Sequence, residues 1–146
     1  ALPISAKNNN PVSKFLNHAQ ITFWEEFGYL KVTDLVTGQD CDEVVALMCN
    51  VLAIDINNPS SWYPGHDQLQ GMMLMRYQDE AIVKIRNNEK IRQVFAQLYD
   101  NNVLYPNTEK LSYNPPENNH YRFMGSPLHW DMDFNRGPKY YIQGLV

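Results

Sequence analysis

A chain of 146 residues holds one domain's worth of core, enough to bury roughly two-thirds of the surface of its unfolded form. Twelve basic against sixteen acidic residues leave a net charge of -4, with no Lys/Arg cluster, which argues against nucleic acid and membrane surfaces as partners. No apolar run approaches the roughly 20 residues that span a bilayer, and Ala1 opens without the basic-then-apolar pattern of a secretory leader.

Residues 1–18 read as an N-terminal arm: Asn8-Asn9-Asn10-Pro11 sits among little apolar periodicity, and 1–13 is expected to attach only loosely. A folded unit is expected over 19–146. Ile21, Trp24 and Phe27 fall three apart, which predicts a helix from Ala19 to Phe27 closed by Gly28. Tyr29-Leu30-Lys31-Val32 alternates and predicts a short strand. Asp40, followed three residues later by Glu43, predicts a capping box opening a second helix, whose apolar stripe is Val44, Leu47, Met48, Val51 and Leu52. That stripe reads as core.

Cys41 and Cys49 both lie on this helix. Eight residues at 1.5 Å each separate them by about 12 Å along the axis, too far for a disulfide. Two reduced thiols favour a cytoplasmic location. Asn57-Asn58-Pro59 and Pro64-Gly65 punctuate a loop, and Met72 to Tyr77 is a candidate strand. Its methionines read as packing rather than copper ligands, because no His or Cys interleaves them. Asp79–Ile85 and Asn88–Tyr99 predict two more helices, the second with Ile91, Val94, Phe95 and Leu98 on one face. After Asn102 the composition changes. Leu111-Ser112-Tyr113 leads into Asn114-Pro115-Pro116, and strands are predicted over Leu128–Phe134 and Lys139–Val146, with a turn at Gly137-Pro138 between them. Helices first and strands later predict an α+β fold.

The chemistry concentrates in His129-Trp130-Asp131-Met132-Asp133. On a strand, residues i and i+2 share a face, so His129 and Asp131 can address one metal ion together. A neutral imidazole and a carboxylate are two members of the 2-His-1-carboxylate set of non-haem Fe(II) oxygenases. Four histidines and nine aspartates give about a one-in-four chance of some His-x-Asp, so the tripeptide alone is a weak signal. Its position after Ser126-Pro127 and before a turn and second strand strengthens it. Asp133 shares the face and reads as a rim residue rather than an orienting partner. His18, His66 and His120 lack ligand-like spacing, and His66 and Asp67 point to opposite sides of an extended chain. Trp62, Tyr63, Arg76 and Arg122 are pocket candidates that fit packing or surface roles as readily.

Phe23-Trp24-Glu25-Glu26-Phe27-Gly28-Tyr29-Leu30, Ile85-Arg86-Asn87-Asn88-Glu89-Lys90, Leu111 to Pro116, Leu128-His129-Trp130-Asp131 and Tyr141-Ile142-Gln143-Gly144-Leu145 occur in this order. In that order and spacing the chain resembles the N-terminal part of the phytanoyl-CoA dioxygenase-like family of Fe(II)- and 2-oxoglutarate-dependent oxygenases, over about residues 19–146. The resemblance implies N-terminal helices packed on part of a double-stranded β-helix, or jelly roll. It implies His129 and Asp131 as the first two iron ligands, and Gln143, Leu145 and Leu111 as residues facing the 2-oxoglutarate pocket. It implies hydroxylation of a small-molecule substrate. The family's distal His and the Arg that pairs with 2-oxoglutarate fall beyond position 146 in the pattern, so the chain is expected to be a fragment, inactive alone. An edge strand over 139–146 would then be covered by the missing half or by self-association. Two other classes stay open: a non-catalytic jelly-roll binding module, and a cupin-like metalloprotein that uses no 2-oxoglutarate.

Overall fold

The computed structural model describes residues 12, 14–65, 69–70, 73–74, 76–105, 110–123, 125, 129, 135 and 141–146. Within them the elements run α1 (His18–Phe27), α2 (Gly38–Leu52), β1 (Leu69–Gln70), β2 (Met73–Leu74), α3 (Glu80–Arg86), α4 (Glu89–Leu98) and β3 (Leu111–Ser112). A 3-10 turn at Pro59–Ser61, capped by the Asn58 side chain, interrupts the loop after α2. The chain is α+β, as its order of patterns predicts.

Local chemistry fixes the helix ends. At the start of α1, Asn17 Oδ1 accepts from the Gln20 N–H at 2.9 Å, and Gln20 Oε1 accepts from the Asn17 N–H at 3.0 Å. This reciprocal pair satisfies two of the donors that a helix start leaves without partners. At the other end Gly28 takes φ 74, a left-handed conformation that costs glycine nothing, and its N–H closes on Trp24 O at 2.9 Å. The strand predicted at 29–32 does not form. Alternation gives a strand only where a neighbouring backbone can pair with it, and here the Tyr29 ring stands edge-on against Phe23 instead, centroids 5.2 Å apart.

Helix α2 begins one turn earlier than Asp40 and Glu43 suggest. Thr37 is the capping residue: its Oγ1 accepts from the Asp40 N–H at 3.1 Å, and Asp40 Oδ2 accepts from the Thr37 N–H at 2.9 Å. Glu43 is therefore not the closing member of the box. Its carboxylate meets Lys84 of α3 at 2.9 Å, and Lys84 also meets Asp40 at 2.7 Å. The two acidic groups sit three residues apart, on one helical face, and that face carries α2 onto α3.

Helices α3 and α4 follow their predicted spans. Asn88 Oδ1 caps α4 by accepting from the N–H groups of Lys90 and Ile91, while Glu89, Lys90 and Arg92 lie on its outer, exposed face. The Arg92 guanidinium, with help from Gln93, holds the Glu89 carboxyl down to about 2. The helix ends where Asp100 adopts φ 48.

The sheet has the order β1-β2-β3, both pairs antiparallel. Leu74 pairs with Leu69 on one side and Leu111 on the other, and is fully buried. Of the strand predicted over 72–77 only Met73 and Leu74 form one; Arg76 and Tyr77 are outside it, and Met72 and Met75 lie outside the described residues. Among the described residues the apolar core consists of Leu16, Leu52, Leu74, Ile82, Val94 and Ala96. Leu16 belongs to the segment read as an arm, yet it is 4% exposed and its main chain is held by Gln97 at both ends: N–H to Oε1 at 2.7 Å, and C=O from Nε2 at 3.1 Å. Attachment thus begins before residue 18.

The strand predicted over 139–146 is also corrected. Residues 141–146 form neither helix nor strand. The Ile142 N–H donates to Tyr99 Oη at 2.7 Å, and Gly144 lies so close to Phe95 that an added Cβ would meet the ring at 3.0 Å. The segment finds its partner on α4 rather than in a sheet. Residues 139 and 140, the 137–138 turn and most of 1–13 lie outside the described residues.

Candidate functional site

His129 is exposed and belongs to no helix or strand. Asp131, Asp133 and the remainder of 128–134 lie outside the described residues, as do His66 and Asp67. Among the described residues no three His, Cys, Asp or Glu side chains gather as a metal-binding group.

The three residues expected at the 2-oxoglutarate pocket fall in two places. Leu111 is half-buried on β3, opposite Leu74. Gln143 and Leu145 are exposed on the segment that lies on α4, Leu145 at 96%. The four pocket candidates also separate. Arg76 is engaged with Asp79, through Nε at 2.8 Å and through a second guanidinium nitrogen on the other carboxylate oxygen. That bidentate pairing holds the Asp79 carboxyl below its usual range and raises Arg76 above its own. Arg122 is exposed. Trp62 and Tyr63 do line or flank a cavity.

That cavity, of about 260 Å³, is walled by Val45, Met48 and Cys49 from α2, Ile54, Ile56 and Trp62 from the turn that follows, and residues 113–116 beyond β3. Sequence spacing gives no hint of it, because its walls come from segments about fifty residues apart. Tyrosine and tryptophan hydrogen bonds tie them together. Tyr113 Oη donates to Trp62 O at 2.9 Å, Tyr63 Oη to Pro116 O at 2.9 Å, and Trp62 Nε1 to Asp55 O at 2.9 Å. Tyr121 Oη donates to Asn114 Oδ1 at 2.7 Å, and its ring lies 5.7 Å from that of Tyr63. Burial is the main cause that pushes the Tyr113 phenol above its ordinary value. The signal that could have found this site is the run of Trp62-Tyr63 and Tyr113-Asn114-Pro115-Pro116: amphipathic rings whose polar tips need partners once buried.

Compared with known proteins, the chain matches no family model, no curated protein and no solved structure. No helix among the described residues is long and apolar enough to cross a membrane.

Proposed function

We propose that this chain carries the first two iron ligands of an Fe(II)- and 2-oxoglutarate-dependent dioxygenase of the phytanoyl-CoA dioxygenase-like kind, built on a jelly roll and hydroxylating a small molecule. The single observation that carries the reading is the His129-x-Asp131 pair, set in an ordered series of short motifs that resemble that family. The donor chemistry fits: a neutral imidazole and a carboxylate suit a ferrous ion. When bound, iron with 2-oxoglutarate supplies the oxidising chemistry that places a hydroxyl on an unactivated carbon. This chain's share would be one neutral and one anionic ligand, with the second His of the 2-His-1-carboxylate set, the co-substrate and oxygen taking the remaining positions.

The test is anaerobic addition of Fe(II) and 2-oxoglutarate to a protein that carries this chain together with the distal His and the Arg of the family pattern. A weak visible charge-transfer band is expected. Metal uptake without the band would replace this reading with the cupin-like one. No uptake and no colour would leave the non-catalytic binding module.

A further inference from the structure

We infer that the cavity between α2 and residues 113–116 is a binding site for a small, uncharged, two-ring or comparably bulky apolar molecule. This inference is independent of the iron reading and uses none of its metal-ligand or 2-oxoglutarate-pocket residues. Size sets the scale: an enclosed apolar cavity of about 150 Å³ takes benzene, and this hollow of about 260 Å³, roughly half open to solvent, has room to seat a molecule of roughly two fused rings. Chemistry sets the class. The walls include the aliphatic side chains of Val45 and Ile54 and the rings of Trp62 and Tyr113, and among the described residues none that lines it is charged. The polar tips of both rings are already engaged, Tyr113 Oη on Trp62 O and Trp62 Nε1 on Asp55 O, so they present apolar faces and do not ask for a polar ligand. Those same bonds fix the walls in place, which lowers the cost of ordering them when a ligand enters. Ile56, 57% exposed, lies at the rim, so the approach is apolar as well. A carboxylate or phosphate would lose its hydration here and gain no cation.

Cys49 lines the cavity, whereas Cys41, eight residues away on the same helix, is exposed, and the two thiols supply a built-in comparison. The experiment follows the rate at which N-ethylmaleimide labels each thiol, by peptide mass, as indole is added to the whole chain. At four times its dissociation constant, indole is expected to slow labelling of Cys49 about fivefold while leaving Cys41 unchanged. Indole-3-carboxylate, which carries a charge, is expected to protect Cys49 at least tenfold less well at equal concentration. Val45→Phe, which places a ring in the cavity, is expected to remove the effect of indole; its circular dichroism melt shows whether the chain stays folded. The inference is overturned if indole gives no saturable protection, if Cys41 is slowed equally, or if the charged analogue protects as well as indole. All three readouts need only the natural sequence, so they decide the matter even if Val45→Phe fails to fold.

Discussion

Gln97 is the residue on which the N-terminal part of the fold depends. Its side-chain amide copies the pairing of a neighbouring strand, accepting from the Leu16 N–H and donating to the Leu16 C=O. Both bonds are partly shielded from water, and Leu16 itself is buried. Removing the amide leaves two main-chain groups without partners and loosens an apolar side chain. Gln97→Ala is therefore expected to lower stability by about 2 kcal/mol, read from the midpoint and slope of urea unfolding. Gln97→Glu keeps the acceptor for the N–H but sets a carboxylate against the C=O, so it should fall at least as low as Gln97→Ala. A variant as stable as the natural chain would show that the contact contributes nothing. Gly144 makes a comparable argument at the other end. An alanine there would press on Phe95, and faster amide exchange at Ile142 is the expected sign that 141–146 has lifted from α4.

At the scale of elements, the junction of α2 and α3 rests on one lysine between two carboxylates. Lys84 holds Asp40 and Glu43 below their ordinary ranges, chiefly by hydrogen bonding to them, and is itself raised by both. A carboxyl depressed in the fold contributes stability that is complete above its unfolded value and lost as pH falls through the folded one. The loss therefore begins below about 4.5 for Glu43 and below about 3.8 for Asp40. Lys84 has the opposite sign: its contribution is complete below 10.5 and disappears only in strong alkali. All three groups are near water, so salt should weaken the junction. The urea midpoint of the natural chain is expected to drop between about pH 6 and about pH 3, and Lys84→Met should flatten that drop. Equal slopes would mean that the bridge does not couple to folding.

The helices were legible because their information is local. The spacing of Ile21, Trp24 and Phe27 with Gly28 after it, and that of Ile91, Val94, Phe95 and Leu98, act within a few residues. Thr37 was missed because Asp40 and Glu43 also satisfy the pattern, and only the contact with Lys84 shows what Glu43 does. The strands are two residues each and depend on distant partners, Met73 on Ser112 and Leu74 on Leu111, which no local alternation encodes. The cavity was hidden for the same reason. The metal pair was the reverse case: conspicuous as a tripeptide, while the geometry that would join His129 to Asp131 does not follow from spacing alone.

For the molecule as a whole, the buried apolar set among the described residues is Leu16 ahead of α1, Leu52, Ile82, Val94 and Ala96 on the helices, and Leu74 on the central strand. Leu74, at 0% exposure between two strands, and Leu52, at 1% on α2, carry a large share of it. Leu74→Ala is expected to cost about 3 kcal/mol, a transfer loss plus a cavity, and in a marginally stable domain that is enough to populate unfolded chains. A melting curve unchanged from that of the natural chain would contradict this picture of the core. The functional account rests on a different pair of atoms sets, the imidazole of His129 and the carboxylate of Asp131. Its most direct test is the Fe(II) content of the natural chain, His129→Ala and His66→Ala after anaerobic equilibrium dialysis. Loss of iron in His129→Ala alone is the predicted result; equal iron in both variants would contradict it.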